Sequence, residues 1–83
     1  MDTGKVVFSK QSSGWYVVQS KELGYTVIET DDEDIGLGDS ISGALDDEHK
    51  TLMLRNDTKR KDFEAYILDS FLTLTVLRRN YGF

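Results

Sequence analysis

The most informative segment for predicting the fold is Gly14-Trp15-Tyr16-Val17-Val18-Gln19, which carries the only tryptophan of the chain. Its side chains alternate between the two faces of a strand, so that Trp15 and Val17 share one face. Apolar segments flank it on both sides, at residues 6–8 and 25–28. Together these segments predict an antiparallel meander of three strands with Trp15 at its centre.

Length and composition limit the kind of protein. A chain of 83 residues with 39% hydrophobic residues is expected to form one domain, over residues 1–83, with a small core. The absence of cysteine excludes disulfides and thiolate metal sites. The N-terminus lacks the pattern of a signal peptide, and the longest apolar run, residues 71–77, is too short to span a bilayer. We therefore expect a cytoplasmic protein without membrane contact.

Three further strands follow an acidic loop in the second half of the chain. Alternation of apolar and polar residues predicts them over 40–45, 50–56 and 63–68. Gly43 lies inside the first of them and indicates a bulge or a bend where a sheet curls into a barrel. Short antiparallel strands at regular spacing predict a mainly β protein that closes into a small barrel of five to six strands.

The last segment, residues 69–79, fits two interpretations. Apolar residues and threonine alternate from 72 to 76, which is typical of a strand. The arginine pair at 78–79 and the stop signal at Gly82 are instead typical of the end of a helix. We expect a short C-terminal helix or strand.

Strand alternation also predicts which side chains fill the interior. The expected core residues are Val6, Phe8, Val18, Val27, Ile28, Ile41, Leu45, Leu52, Leu54 and Ile67. Three more aromatic residues are expected there as well: Phe63, Tyr66 and Phe71. The remaining large aromatic residues fit either the core or an exposed patch: Trp15, Tyr25, Tyr81 and Phe83.

Charge is distributed unevenly along the chain. The net charge of −5 opposes binding to a phosphate backbone. Every charged residue from Glu29 to Glu48 is acidic, whereas basic residues cluster at 55–61 and 78–79. The acidic run has no spacing that supplies a complete coordination sphere for calcium. We therefore expect it to be a solvated surface rather than a metal site.

Three short segments follow the pattern of a known barrel: Gly4-Lys5-Val6-Val7-Phe8, Ser13-Gly14-Trp15-Tyr16-Val17-Val18 and Gly38-Asp39-Ser40-Ile41. The first two resemble the opening strands of cold-shock domains, and the third resembles the start of the fourth strand of an OB-fold. The resemblance covers residues 4–46 and implies a small OB-like antiparallel barrel. It also implies that Trp15 occupies a position at which those domains stack on bases of single-stranded nucleic acid.

The chain departs from that family at the positions that bind nucleic acid. Val17 stands where the family has a second aromatic residue, and Ser13 stands where it has a lysine. The third strand ends in an acid, Glu29. Since a stacking platform needs successive aromatic residues beside a cationic groove, the resemblance implies the fold more strongly than the function.

No nucleophile, base and orienting group occur together, so we expect no catalytic residues, no enzymatic activity and no cofactor. We expect a non-catalytic interaction module that binds a protein partner or self-associates, through Trp15 and Tyr25 or through residues 78–83. The alternative is a single-stranded nucleic-acid-binding domain, in which Trp15 stacks and basic residues, Lys5 among them, contact phosphates. The candidate binding residues are Trp15, Tyr25, Lys10, Arg55, Lys59, Arg60 and Lys61.

Overall fold

Hairpin-connected strands form a closed barrel, as the alternation of side chains predicts. A computed structural model describes residues 2–83. The strands are β1 (Asp2–Lys10), β2 (Trp15–Ser20), β3 (Gly24–Glu29), β4 (Ser40–Gly43), β5 (Thr51–Asn56) and β6 (Lys61–Leu72). A 3-10 turn, Gln11–Ser13, follows β1, and one helix, α1 (Leu74–Tyr81), follows β6. The strand order is β1-β2-β3-β6-β5-β4, with β4 pairing back to β1 and all neighbours antiparallel.

Two left-handed glycines turn the chain within the first half of the barrel. Gly14 has φ 70°, and a Cβ at this position would lie 2.9 Å from the carbonyl oxygen of Thr30. Gly24 has φ 68°, and a Cβ there would lie 2.9 Å from the carbonyl oxygen of Leu72. Glycine alone adopts this backbone freely and leaves room for the approaching carbonyl. These two positions therefore fix the hairpins that place β2 between β1 and β3.

The barrel interior holds one apolar cluster. The predicted core residues found in it are Val6, Val18, Ile28, Ile41, Leu45, Leu54 and Ile67, with Leu52 packed against them. Phe63 is buried there as predicted, and the cluster also contains Tyr16, Leu23, Ile35 and Ala65. Val27 is fully buried, but it belongs to a second cluster, on the opposite face of its strand.

Phe8 does not enter the barrel, so its predicted place in the core was wrong. Val6 pairs with Val18, whereas Phe8 pairs with Val17, which leaves an extra residue in β1 between the two positions. A bulge of this kind shifts the following side chains to the other face of the sheet. Phe8 is accordingly half-buried on the outside of the barrel.

The end of β6 differs from the predicted core as well. Tyr66 is half-buried, and Phe71 is 60% exposed with a left-handed backbone, φ 59°. The register with β3 shifts in this region, since Val27 pairs with Asp69 and Tyr25 pairs with Leu72. Two residues of β6 thus lie opposite one residue of β3. This bulge gives the strand a local bend and turns Phe71 away from the core.

The ambiguous C-terminal segment contains both predicted structures. The strand continues to Leu72, and α1 begins at Leu74. Thr73 is the N-cap, and its Oγ1 accepts a hydrogen bond of 3.3 Å from the backbone N–H of Val76. Gly82 ends the helix in a left-handed conformation, φ 72°.

Candidate functional site

A second apolar cluster lies outside the barrel, where α1 packs over β2 and β3. Val17, Val27 and Leu77 are fully buried in it. Partly buried residues surround them: Val7, Phe8, Trp15, Tyr25, Leu68, Leu72, Leu74, Tyr81 and Phe83. We call this cluster the aromatic face. It forms because Trp15 and Val17 share the outward side of β2, as the alternation predicts, and α1 covers that side.

Trp15 is held by contacts within the chain. Its ring meets the ring of Tyr81 edge to face, with the centroids 5.3 Å apart and the planes at 85°. Its Nε1 donates a hydrogen bond of 3.2 Å to the carboxylate of Glu29, the residue opposite it on β3. The edge and one side of the indole are therefore occupied by the protein itself.

Lys10 ties the end of α1 to the barrel. Its Nζ donates a hydrogen bond of 2.8 Å to the carbonyl oxygen of Tyr81. The same ammonium lies 5.9 Å from the ring centroid of Trp15 and 5.3 Å from that of Phe83, within the range of cation–π attraction. The ring of Phe83 lies 5.8 Å from that of Phe8. Lys10 thus bridges β1 and the C-terminal residues.

Two tyrosines border the aromatic face. The hydroxyl of Tyr81 donates a hydrogen bond to the carboxylate of Asp69. Burial, together with that carboxylate, raises the pKa of Tyr81 far above its ordinary value, so the side chain remains a neutral donor. Tyr25 lies near the start of β3, and its hydroxyl accepts a hydrogen bond of 3.4 Å from the side-chain amide of Gln19. The structure therefore brings Trp15, Tyr25 and Lys10 into or beside one cluster.

The other predicted basic residues belong to a different group. The Nζ atom of Lys59 lies 3.0 Å from a carboxylate oxygen of Asp39, and the Nζ atom of Lys61 lies 3.1 Å from a carboxylate oxygen of Asp32. Arg55 forms ion pairs with Asp57 and Asp62, at 3.5 Å and 3.3 Å. Arg60 is exposed with a left-handed backbone, φ 57°. No ion pair of this group, in the part of the chain that the structure describes, includes a residue of the aromatic face.

Asp39 joins the acidic loop, residues 30–39 between β3 and β4, to the basic loop, residues 55–61 around the turn from β5 to β6. It is 6% exposed and accepts hydrogen bonds from the backbone N–H of Gly36 (2.9 Å) and the side-chain amide of Asn56 (2.8 Å). Burial raises the pKa of this carboxyl, but these two donors and the ammonium of Lys59 outweigh burial and lower it below its ordinary value. The acidic run is therefore not wholly a solvated surface, because Asp39 and Ile35 are buried.

Lys5 lies apart from both groups. It lines an open groove of about 500 Å³ at the start of β1, with the end of β2 on the opposite side. Within residues 2–83, no group of three His, Asp or Glu side chains is placed to hold a metal ion. None of the described helices has the length and apolar character needed to cross a membrane.

Sequence reasoning missed the carboxylates that neutralise the basic loop. The paired carboxylates lie between 20 and 29 positions before their lysines in the sequence, and only the barrel brings the two loops together. These carboxylates are Asp32, Asp34 and Asp39. The proximity of Lys10 to Trp15 could have been predicted from the sequence. The two residues flank a short turn, and they pair across the first hairpin.

Comparison with known proteins gives no relative: no protein-family model matches the chain, and no curated protein or solved structure matches it either. The closed six-stranded antiparallel barrel is compatible with an OB-like fold. The similarity to cold-shock domains rests on the sequence motifs alone.

Proposed function

We propose that this domain is a non-catalytic interaction module that binds a protein, either a partner or a second copy of itself. The observation that favours a protein over nucleic acid as the ligand is the engagement of Trp15 with Tyr81 and Lys10 under α1. In a cold-shock-like domain the same side of the barrel would stack on bases. Here a helix of the chain covers it, so stacking would require the displacement of α1.

The charges of the protein also favour protein binding over nucleic-acid binding. Three of the candidate phosphate-binding residues, Arg55, Lys59 and Lys61, already pair with carboxylates. A single stacked base contributes about 1–3 kcal/mol, which corresponds to molar or near-millimolar affinity. Useful binding would need several phosphate contacts in addition, and a protein of net charge −5 has few free cations to provide them.

One observation favours the alternative, single-stranded nucleic-acid binding. Lys10 and Trp15 lie together, with the ammonium 5.9 Å from the ring centroid. An ammonium beside an indole is the minimal combination of a phosphate contact and a stacking surface.

Trp15 fluorescence separates the two functions, because no other tryptophan contributes to the signal. The protein is titrated with a mixed-sequence single-stranded oligonucleotide at low and at moderate salt. We expect no saturable change at moderate salt, and we expect sedimentation velocity of the protein alone or with a partner to report association. Strong, salt-sensitive quenching that saturates in the micromolar range would favour the alternative.

A further inference from the structure

Phe71 combines two unfavourable features. It is a bulky residue with φ 59°, a region that large side chains avoid because Cβ crowds the following carbonyl oxygen. Its side chain is also 60% exposed, so no core packing offsets that strain. A strained residue that core packing does not stabilise requires another reason for its presence.

The position of Phe71 suggests what the strain does. It lies in the bulge at the end of β6, and Thr73 is the only residue between Leu72 and the start of α1. The left-handed turn at Phe71 helps to direct α1 back onto the aromatic face of its own barrel. A short connection under strain favours the exchange of the segment that follows it, because an open connection relieves the strain.

The contacts of α1 can all form between two copies. Leu77 is the only fully buried residue of α1. The helix residues Arg78, Arg79 and Asn80 are exposed to solvent. The C-terminal contacts join this segment to β1 and β2, through Lys10 with Tyr81 and through Trp15 with Tyr81. A second barrel presents the same residues in the same geometry, so exchange would lose none of these contacts.

We propose that two copies of the chain exchange residues 73–83, so that α1 of each copy packs on the aromatic face of the other. The occupant of that face is then a second copy. Exchange relaxes the backbone at Phe71, and it brings the two exposed phenylalanine rings toward the symmetric crossing point of the connections. This inference deepens the proposed function, since it names the protein that is bound.

The direct test uses a dimer of mixed isotope composition. Labelled and unlabelled copies are unfolded together, refolded at high concentration, and fractionated by sedimentation or gel filtration. We expect a dimer in which isotope-filtered nuclear Overhauser spectra connect the ring of Tyr81 in one copy to the indole of Trp15 in the other. A dimer whose Tyr81–Trp15 contacts all lie within one copy would overturn the exchange and leave the proposed function standing. A chain that stays monomeric at every concentration would also overturn it.

A hinge variant tests the role of strain. Glycine adopts φ 59° freely, so Phe71→Gly should stabilise the closed monomer and raise the dissociation constant of the dimer by about ten- to hundredfold. The matched control is Met53→Ala, which removes an apolar side chain that is 59% exposed on β5 and lies outside the hinge. It should leave the dissociation constant unchanged. A Phe71→Gly protein that dimerises as tightly as the wild type would contradict the proposal.

Discussion

Thr26 is the residue at which a substitution should improve stability. It is 1% exposed, and its Oγ1 has no hydrogen-bond partner within residues 2–83. An unpaired buried hydroxyl costs about 1–3 kcal/mol, and valine has nearly the same shape without it. Thr26→Val should therefore raise the free energy of unfolding by about 1 kcal/mol in urea denaturation.

The matched control is Thr30→Val. Thr30 is also buried, but its hydroxyl donates to the carbonyl oxygen of Glu64 at 2.7 Å and accepts from the backbone N–H of Asp32. This substitution should lower the free energy of unfolding, because it leaves those two groups unpaired. Stabilisation by both valines, or by neither, would show that the pairing of the hydroxyls does not decide the outcome.

Asp39 should make stability depend on pH in the acid range. The hydrogen bonds from Gly36, Asn56 and Lys59 hold the pKa of its carboxyl below the unfolded value, despite burial. A lowered pKa gives stability that is fully present above the unfolded value, about 3.9, and lost as the pH falls through the folded value. Asp39→Asn should therefore weaken the loss of stability below about pH 4, as measured by urea denaturation across pH.

The control for Asp39 is Asp31→Asn, which removes an exposed carboxylate from the same loop. An equal change in the acid dependence for both variants would mean that total charge, rather than the buried contacts of Asp39, sets the effect.

Individual residues also show why sequence patterns did not predict every buried position. Alternation placed Val6 correctly and Phe8 wrongly, because one extra residue between them reverses the face of everything that follows. The burial of Asp39 could not be predicted, since its partners are distant in sequence: Asn56 ends β5 and Lys59 lies in the turn that follows. Patterns report local geometry well and report long-range polar pairing poorly.

Among the elements, α1 should contribute to the stability of the fold mainly through its one fully buried side chain. Leu77 is fully buried between α1 and the barrel, next to Val17 and Val27. Leu77→Ala should lower the free energy of unfolding by about 2–5 kcal/mol, since the cavity adds to the lost apolar burial. Arg78→Ala, at an exposed position of the same helix, should change it by less than about 0.5 kcal/mol. Equal effects from both variants would contradict the packing of α1 on the aromatic face.

The strands were predictable as elements, and α1 was predictable only in part. Alternation marks the strands outside the bulges of β1 and β6, so the barrel follows from the number and spacing of strands. From Leu72 onward the chain carries both the period of a strand and that of a helix. Leu74, Leu77 and Tyr81 have helical spacing, and they are the residues of α1 that join the aromatic face. Tertiary packing decides between the two periods there.

At the scale of the whole molecule, the charges are organised as internal pairs. Lys59 and Lys61 face carboxylates of the acidic loop, among them Asp32 and Asp34. A divalent cation would have to displace these lysines. Millimolar calcium or magnesium should therefore leave the melting temperature nearly unchanged in differential scanning calorimetry. A rise of several degrees that is lost in Asp32→Asn would show a metal site instead.

In the structure, α1 closes the aromatic face over Trp15. Acrylamide quenching of the only tryptophan measures this most directly. The wild type should have a Stern–Volmer constant well below that of the urea-unfolded chain, and Tyr81→Ala should raise it, because the ring that meets the indole is gone. Tyr66→Ala, on β6 and outside the aromatic face, should not change it. A folded wild type whose tryptophan is quenched as readily as in the unfolded chain would contradict the packing of α1 over Trp15.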